Sequence, residues 1–335
     1  MRKPGRGLLV VAAFSVAVML SAPFLGIERI VPGTLAGPGQ EMLKDIFWKI
    51  RLPRVISAFV AGATLAMAGM AFQAYFRNPL ATPFTLGVSS GAAFGAALAM
   101  RAGILFSFAG IGLRSISAFI WALVAIMIVY GLTRVRRGSS TATMLVAGVA
   151  VNFFFSSIIL FIQYISDFDN SFRMVRWMMG GFEMADYGTL YSLLPLTVAG
   201  ALLLVMNIDE MNLLILGEDT ASSRGVDVRK ARRSIFFAAS LMTGGVVSAF
   251  GPIGFVGMMA PHICRLTVGA DHRFLTTASI MFGGSFLVFC DTLSRTLIAP
   301  AEIPVGVITA MLGGPFFLWL LMRGDRGPVA TEDRS

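Results

Sequence analysis

The stretch "RVISAFVAGATLAMAGMAFQAYF", residues 54–76, decides the class of this protein. After Arg54 it runs for 22 positions without a charged side chain. An α-helix needs about 20 predominantly apolar residues to cross the hydrocarbon core of a bilayer. In that core every backbone N–H and C=O must be bonded within the segment, so the stretch reads as a membrane-spanning helix. Gly62 and Gly69, with Ala61, Ala63 and Ala66 around them, give it a face that a second backbone can approach closely.

The rest of the chain agrees. Of its 335 residues 56% are hydrophobic and 13% charged, and the mean hydropathy is +0.78. A soluble domain carries about a quarter of its residues charged. A water-soluble surface cannot be built from so few charges, so the chain reads as an all-α integral membrane protein in a lipid bilayer. Its net charge of +9 does not call for a nucleic-acid partner, because the cytoplasmic loops of membrane proteins collect Lys and Arg.

Ten transmembrane helices are expected, at 8–27, 54–76, 84–101, 114–134, 142–165, 189–207, 232–250, 254–269, 274–297 and 304–322, in one transmembrane domain spanning 1–335. The first follows the basic "MRKPGR" and so resembles a signal peptide. Its apolar run is longer than a typical h-region and further spans follow, so it is read as a membrane helix. Ten spans put both termini on one side. With the N and C termini cytoplasmic, most Lys and Arg fall on that side, including Arg134, Arg136, Arg137, Arg229, Lys230, Arg232 and Arg233. In the third span Gly87, Gly91 and Gly95 lie four apart, a small-residue stripe read as helix packing.

Polar groups within the spans are few. Asp291 and Arg295 are four apart, a spacing that permits an ion pair on one helix, either as a self-neutralised pair or with a part in transport. Gln73, Asn152 and Gln163 are expected to bond between helices. No catalytic residue, metal site or cofactor is expected. Cys264 and Cys290 offer no disulfide framework, and His262 and Cys264, two apart, point to different sides of a helix. The longer outer loops are 28–53 and 166–188; the second sets Arg173 and Arg176 beside Trp177, Phe182 and Tyr187, an interfacial aromatic belt with arginines suited to an acidic partner.

One polar island interrupts the oily pattern: "LGEDTASSRGVDVRKARR", 216–233, with eight charged residues. Its layout predicts a short helix over 218–224 ended by Gly225 as a left-handed cap. Asp227 then caps a helix that begins at Val228 and runs into the seventh span. The orientation places the island in the cytoplasm, with 216–225 as a contact segment and 229–233 as a topology anchor.

The strings "RLPRVISAFVAGATLAMAGMAFQAYFRNPLATPFTLGVSSGAAFG" (51–95), "GPIGFVGMMAPHICRL" (251–266) and "PAEIPVGVITAMLGGPFFLWLL" (300–321) resemble the FecCD-like family of ABC-type permeases that import iron–siderophore complexes, haem and cobalamin. The resemblance runs from about residue 45 to 323. It implies a homodimer with the path at the dimer interface, two cytoplasmic ABC ATPase subunits and a periplasmic substrate-binding protein. This chain carries no GxxxxGK followed by Ser or Thr, so ATP and Mg are expected on the separate ATPase. The chain itself is then a transporter subunit and no enzyme.

By the same resemblance, 216–225 is the segment that touches the ATPase. Leu216, Gly217, Ala221 and Gly225 match the family's LGxxxAxxLG pattern, Glu218 lies within it, and Arg224 stands where Leu is common. Small Gly217 and Ala221 would let the segment seat in an ATPase cleft. Arg51, Arg54 and Arg295 match outer arginines that dock acidic residues of the binding protein. Ser140 and Thr141, in "GSSTAT" (138–143), match the cytoplasmic gate. The expected function is import of a metal chelate into the cytoplasm across a bacterial or archaeal inner membrane by alternating access. Iron–siderophore ranks first on family frequency, with haem and cobalamin behind it. The alternative is an ion-coupled secondary transporter without an ATPase.

Overall fold

A computed structural model describes residues 4–26, 30, 31, 33, 41–103, 106–108, 111–135 and 141–323. The first half holds α1 (Pro4–Ser21), a short α2 (Glu41–Asp45), α3 (Leu52–Phe76), α4 (Val88–Ala102), α5 (Leu113–Val135), α6 (Thr141–Tyr164) and α7 (Phe168–Met178). The second holds α8 (Tyr187–Met206), α9 (Ile208–Ile215), α10 (Glu218–Ser223), α11 (Val228–Phe250), α12 (Val256–Val268), α13 (His272–Thr296) and α14 (Val305–Arg323). The described strands are one two-residue pair, Ser107–Phe108 with Ile111–Gly112.

Each of the ten expected segments falls on a helix, and seven helices among the described residues are long and apolar enough to cross a membrane. The other three are shorter: α4 has 15 residues, α12 has 13, and the apolar part of α14 covers Val305–Leu320. Two boundaries move for local reasons, and one further helix starts where its cap was expected. The first helix stops at Ser21, where Ala22–Phe24 tighten into a turn around Pro23; residue 27 lies outside the described residues. The third begins only at Val88, because Pro83–Leu86 form a separate turn. The seventh starts at Val228, four residues before the expected span, on its Asp227 cap. The loop expected at 166–188 contains α7, whose Phe168, Phe172 and Val175 are exposed while Met174 is buried.

The middle of the bundle is α3, with α11, α12 and α13 packed on it. Lipid tails are as apolar as leucine, so close van der Waals fit rather than water exclusion holds such helices together. Gly69 shows how close that fit is: a methyl group there would run into the Gly257 carbonyl of α12. The stripe at Gly91 and Gly95 receives the α5 backbone at Trp121 and Ser117, which is helix packing as expected.

Two of the three expected interhelical polar residues make bonds of that kind. Gln73 donates to the Met258 carbonyl (3.1 Å) and accepts from Arg265 (2.8 Å), joining α3 to α12. Asn152 accepts from Ser90 (2.7 Å) and donates to the Phe84 carbonyl (3.2 Å). Gln163 differs, since its buried Nε2 finds no acceptor among the described residues.

The long helices define two ends. Arg54 of α3, Phe250 of α11 and Arg295 of α13 lie at the end that carries α7. Tyr75 of α3, Arg232 of α11 and His272 of α13 lie at the end that carries α10. At the α7 end a backbone junction joins three elements: Gly181 N–H donates to the Phe250 carbonyl (2.9 Å), and Gly306 N–H of α14 donates to the Gly180 carbonyl (3.3 Å).

Candidate functional site

At the α10 end the chain leaves α9 through Leu216 and turns sharply at Gly217, whose φ of +121° and ψ of 152° lie where L side chains are excluded. The short helix α10 follows and closes at Gly225, in the left-handed region at φ +85°, with its N–H bonded to the Ser222 carbonyl (2.9 Å). Asp227 then accepts from the Lys230 N–H (3.0 Å) as the cap of α11. This is the layout expected from the sequence.

Two side chains differ from expectation. Ala221 is fully buried, within the apolar cluster that holds Leu214, Ala231 and Ile235. Its smallness serves the chain's own packing and presents nothing to a partner. Gly217 is required by its backbone angles. The outward residues include Leu216, 63% exposed, and Asp219, Ser222, Ser223, Arg224 and Gly225, also exposed.

Arg232, expected as part of a topology anchor, turns inward. Its Nη1 donates to Glu218 of α10, its Nη2 donates to the Tyr75 carbonyl of α3 (3.3 Å), and its guanidinium lies over the Tyr75 ring. The Tyr75 hydroxyl in turn reaches Met144 Sδ in the first turn of α6 (3.6 Å). A continuous line of contacts therefore runs from α10 through α11 and α3 to α6. Of the expected gate residues, Ser140 lies outside the described residues and Thr141 is the first residue of α6.

At the α7 end the three arginines expected on an exposed docking face are buried: Arg51 and Arg54 are 7% exposed and Arg295 is 5% exposed. Arg54 Nε donates to both Asp291 oxygens (3.0 and 3.2 Å), while its Nη1 and Nη2 donate to the Glu302 carboxylate (3.2 and 2.9 Å). Arg295 pairs with Asp291 (3.1 Å) and donates to the Leu25 and Ala22 carbonyls (3.3 and 3.4 Å). Arg51 donates to the Pro23 and Phe24 carbonyls (3.3 and 3.4 Å). A guanidinium this deep is tolerable only when carboxylates and carbonyls satisfy its donors. The expected Asp291–Arg295 pair therefore forms, but it belongs to a four-residue cluster that fastens α3 to α13.

The described residues form a crowded bundle of long helices with a short polar helix at one end and a buried charge cluster at the other. The FecCD transport family pattern matches residues 8–323.

This chain belongs to the FecCD transport family.

The FecCD chain is similar to the hemin transport system permease protein HmuU of Yersinia pestis, 39% identical over 285 residues and 83% of each chain. It is also similar to the vitamin B12 import system permease protein BtuC of Klebsiella pneumoniae, 36% identical over 326 residues, 96% of this chain and 95% of that one. Among solved structures it is similar to a metal-chelate type ABC transporter in an inward-facing conformation. There the TM-score is 0.85 and the identity 28%, over 94% of this chain and 98% of that chain. This FecCD protein is a multi-pass membrane protein and the permease subunit of an ABC importer.

Sequence reading missed Arg232, Tyr75 and Glu302 because each acts through a partner distant along the chain: Arg232 and Tyr75 are 157 residues apart, Arg54 and Glu302 are 248 apart. The available signals were a basic residue four positions into a capped helix and a carboxylate flanked by Pro300 and Pro304.

Proposed function

We propose that this permease carries a metal chelate from the periplasm into the cytoplasm across a bacterial or archaeal inner membrane, by alternating access between two copies of itself. The contact line from Glu218 through Arg232 and Tyr75 to Met144 carries this reading, because it gives a motion at α10 a physical route to the helix behind the gate segment 138–143. Ten crossings with both termini in the cytoplasm put α10 on the ATPase side and α7 on the periplasmic side. Two cytoplasmic ATPase subunits bind ATP and Mg and press on the exposed face around Leu216 and Arg224. A periplasmic binding protein docks at the α7 end, over the rim of the buried arginine cluster, where Glu302 is partly exposed.

No bond of the cargo needs to break in this subunit. Relatives named for hemin and vitamin B12 support a large chelate as cargo, and iron–siderophore complexes are the first choice within that class. The test is uptake into proteoliposomes holding the permease, its ATPase and its binding protein, with a ferric siderophore, haem and cobalamin offered in turn. ATP-dependent uptake of one of them is expected. Uptake driven by an ion gradient without the ATPase would replace this reading with a secondary transporter.

A further inference from the structure

At the α7 end a cavity of about 310 Å³ opens between the start of α5, the last turn of α7 and the Gly180–Met184 turn. Its charged lining is three arginines, Arg114, Arg173 and Arg176, against one carboxylate, Glu183. That carboxylate is already taken, since Arg176 Nη2 donates to it at 2.7 Å. Arg173 donates to the neutral side chain of Asn170 (2.8 Å). The lining therefore has an uncompensated positive charge.

Two of its donors are also orphaned. Arg114 Nη2 reaches a thioether, Met184 Sδ, at 3.5 Å, and thioethers are weak acceptors. Arg114 Nε is buried and has no acceptor among the described residues. The indole Nε1 of Trp177, which lines the same cavity, is likewise buried without one. A buried N–H left unpaired costs free energy that an incoming acceptor recovers, more so when the donor is cationic. Native structures seldom keep two such donors in one cavity without a use for them.

We propose that this cavity is a binding subsite for a carboxylate-bearing small molecule. Both donors are covered in the free protein, so a side-chain shift toward the ligand lets Arg114 Nε and Trp177 Nε1 supply the hydrogen bonds, while Arg114 and Arg173 supply the charge. A planar carboxylate matches the fork of a guanidinium. The volume sits at the lower end of ligand cavities, so it holds one carboxylate arm rather than a whole chelate. Its role as a station for a carboxylate-bearing cargo rests on the importer reading above; the binding itself does not.

The test is calorimetric titration of the purified full-length permease, alone, with citrate, with the neutral ester triethyl citrate and with inorganic phosphate at constant ionic strength. Saturable binding of citrate is expected, with none for the ester and phosphate weaker by about tenfold. Arg114→Met weakens citrate by about tenfold or more, and Trp177→Phe by about threefold or more. Where Arg114→Met does not yield a monodisperse protein, Arg173→Gln and the citrate–ester comparison decide. Equal response to citrate and ester, absence of saturation, phosphate as tight as citrate, or variants that bind like the parent each overturn the proposal. Since binding is read without ATPase or cargo, its failure leaves ATP-driven uptake standing. Citrate binding without ATP-driven uptake would instead fault the importer reading.

Discussion

The guanidinium of Arg232 lies 4.6 Å from the centre of the Tyr75 ring, and the same group donates to Glu218. One side chain thus holds α10, α11 and α3 in register. Neither contact is strong: the Glu218 side chain is 42% exposed, and a cation over a ring contributes about 0.5–2 kcal/mol. The value of Arg232 is positional, since it gives a small helix one fixed attitude against two long ones.

Arg232→Ala should therefore lower ATP-driven uptake in proteoliposomes by about fivefold or more, the scale of a coupling free energy between sites. Copurification with the ATPase should persist. Arg232→Lys should fall between, because it keeps the charge and loses the planar fork. Unchanged uptake in the alanine variant would rule out this contact line as the proposed route from α10 to the gate.

Leu216 and Ala221 should respond differently to the same new residue. Leu216→Arg alters an exposed position, so thermal stability in detergent should stay within about 0.5 kcal/mol of the parent while ATP-driven uptake is lost. Ala221→Arg forces a charge into a fully buried position and should prevent stable assembly in the membrane. Similar melting temperatures for the two variants would contradict this assignment of faces.

The buried cluster around Asp291 should be intolerant of losing its centre. Its side chain is 1% exposed, and Arg54 and Arg295 depend on it. Asp291→Asn leaves buried guanidinium charge uncompensated, at a cost of about 3–5 kcal/mol. Adding Arg295→Met should return part of that loss. Thermal unfolding of the two variants side by side gives the answer, and a larger loss in the double variant would refute the pairing.

A methyl group at Gly69 meets the Gly257 backbone, which cannot rotate away, whereas a methyl at Gly131 of α5 meets nothing within 4 Å. Gly69→Ala should destabilise by about 1–3 kcal/mol. Gly131→Ala should be neutral or stabilising by up to about 1 kcal/mol, from helix propensity. Melting temperatures that move together would mean that α3 and α12 do not pack so closely.

Elements whose causes are local were legible in the sequence. The apolar run of α3, the Gly225 and Asp227 caps around α10 and the packing stripe at Gly91 and Gly95 each follow from neighbours within a few positions. What failed to show was set by contacts across the bundle. Arg51, Arg54 and Arg295 match outer docking arginines by resemblance; the structure buries them against Asp291, Glu302 and the carbonyls of residues 22–25, which only the fold brings together. Ala221 matches the family pattern for a contact residue, and the fold buries it in the chain's own packing. α7 lies within the segment expected as an outer loop, and the contact of Met174 on its inner face anchors it.

The glycine junction at Gly180 and Gly306 bears on more than packing. α11, Val228–Phe250, has no proline in its 23 residues, and at the usual rise it spans about 27 Å from the Arg232 contact to Phe250 at that junction. As a rigid rod, it turns a tilt of about 5° at one end into a displacement of about 2 Å at the other. Phe250 also lines the arginine-rich cavity. On the proposed orientation, a push on α10 would reshape that recess through a single lever arm, emptying the proposed carboxylate subsite in the same stroke that moves the proposed gate.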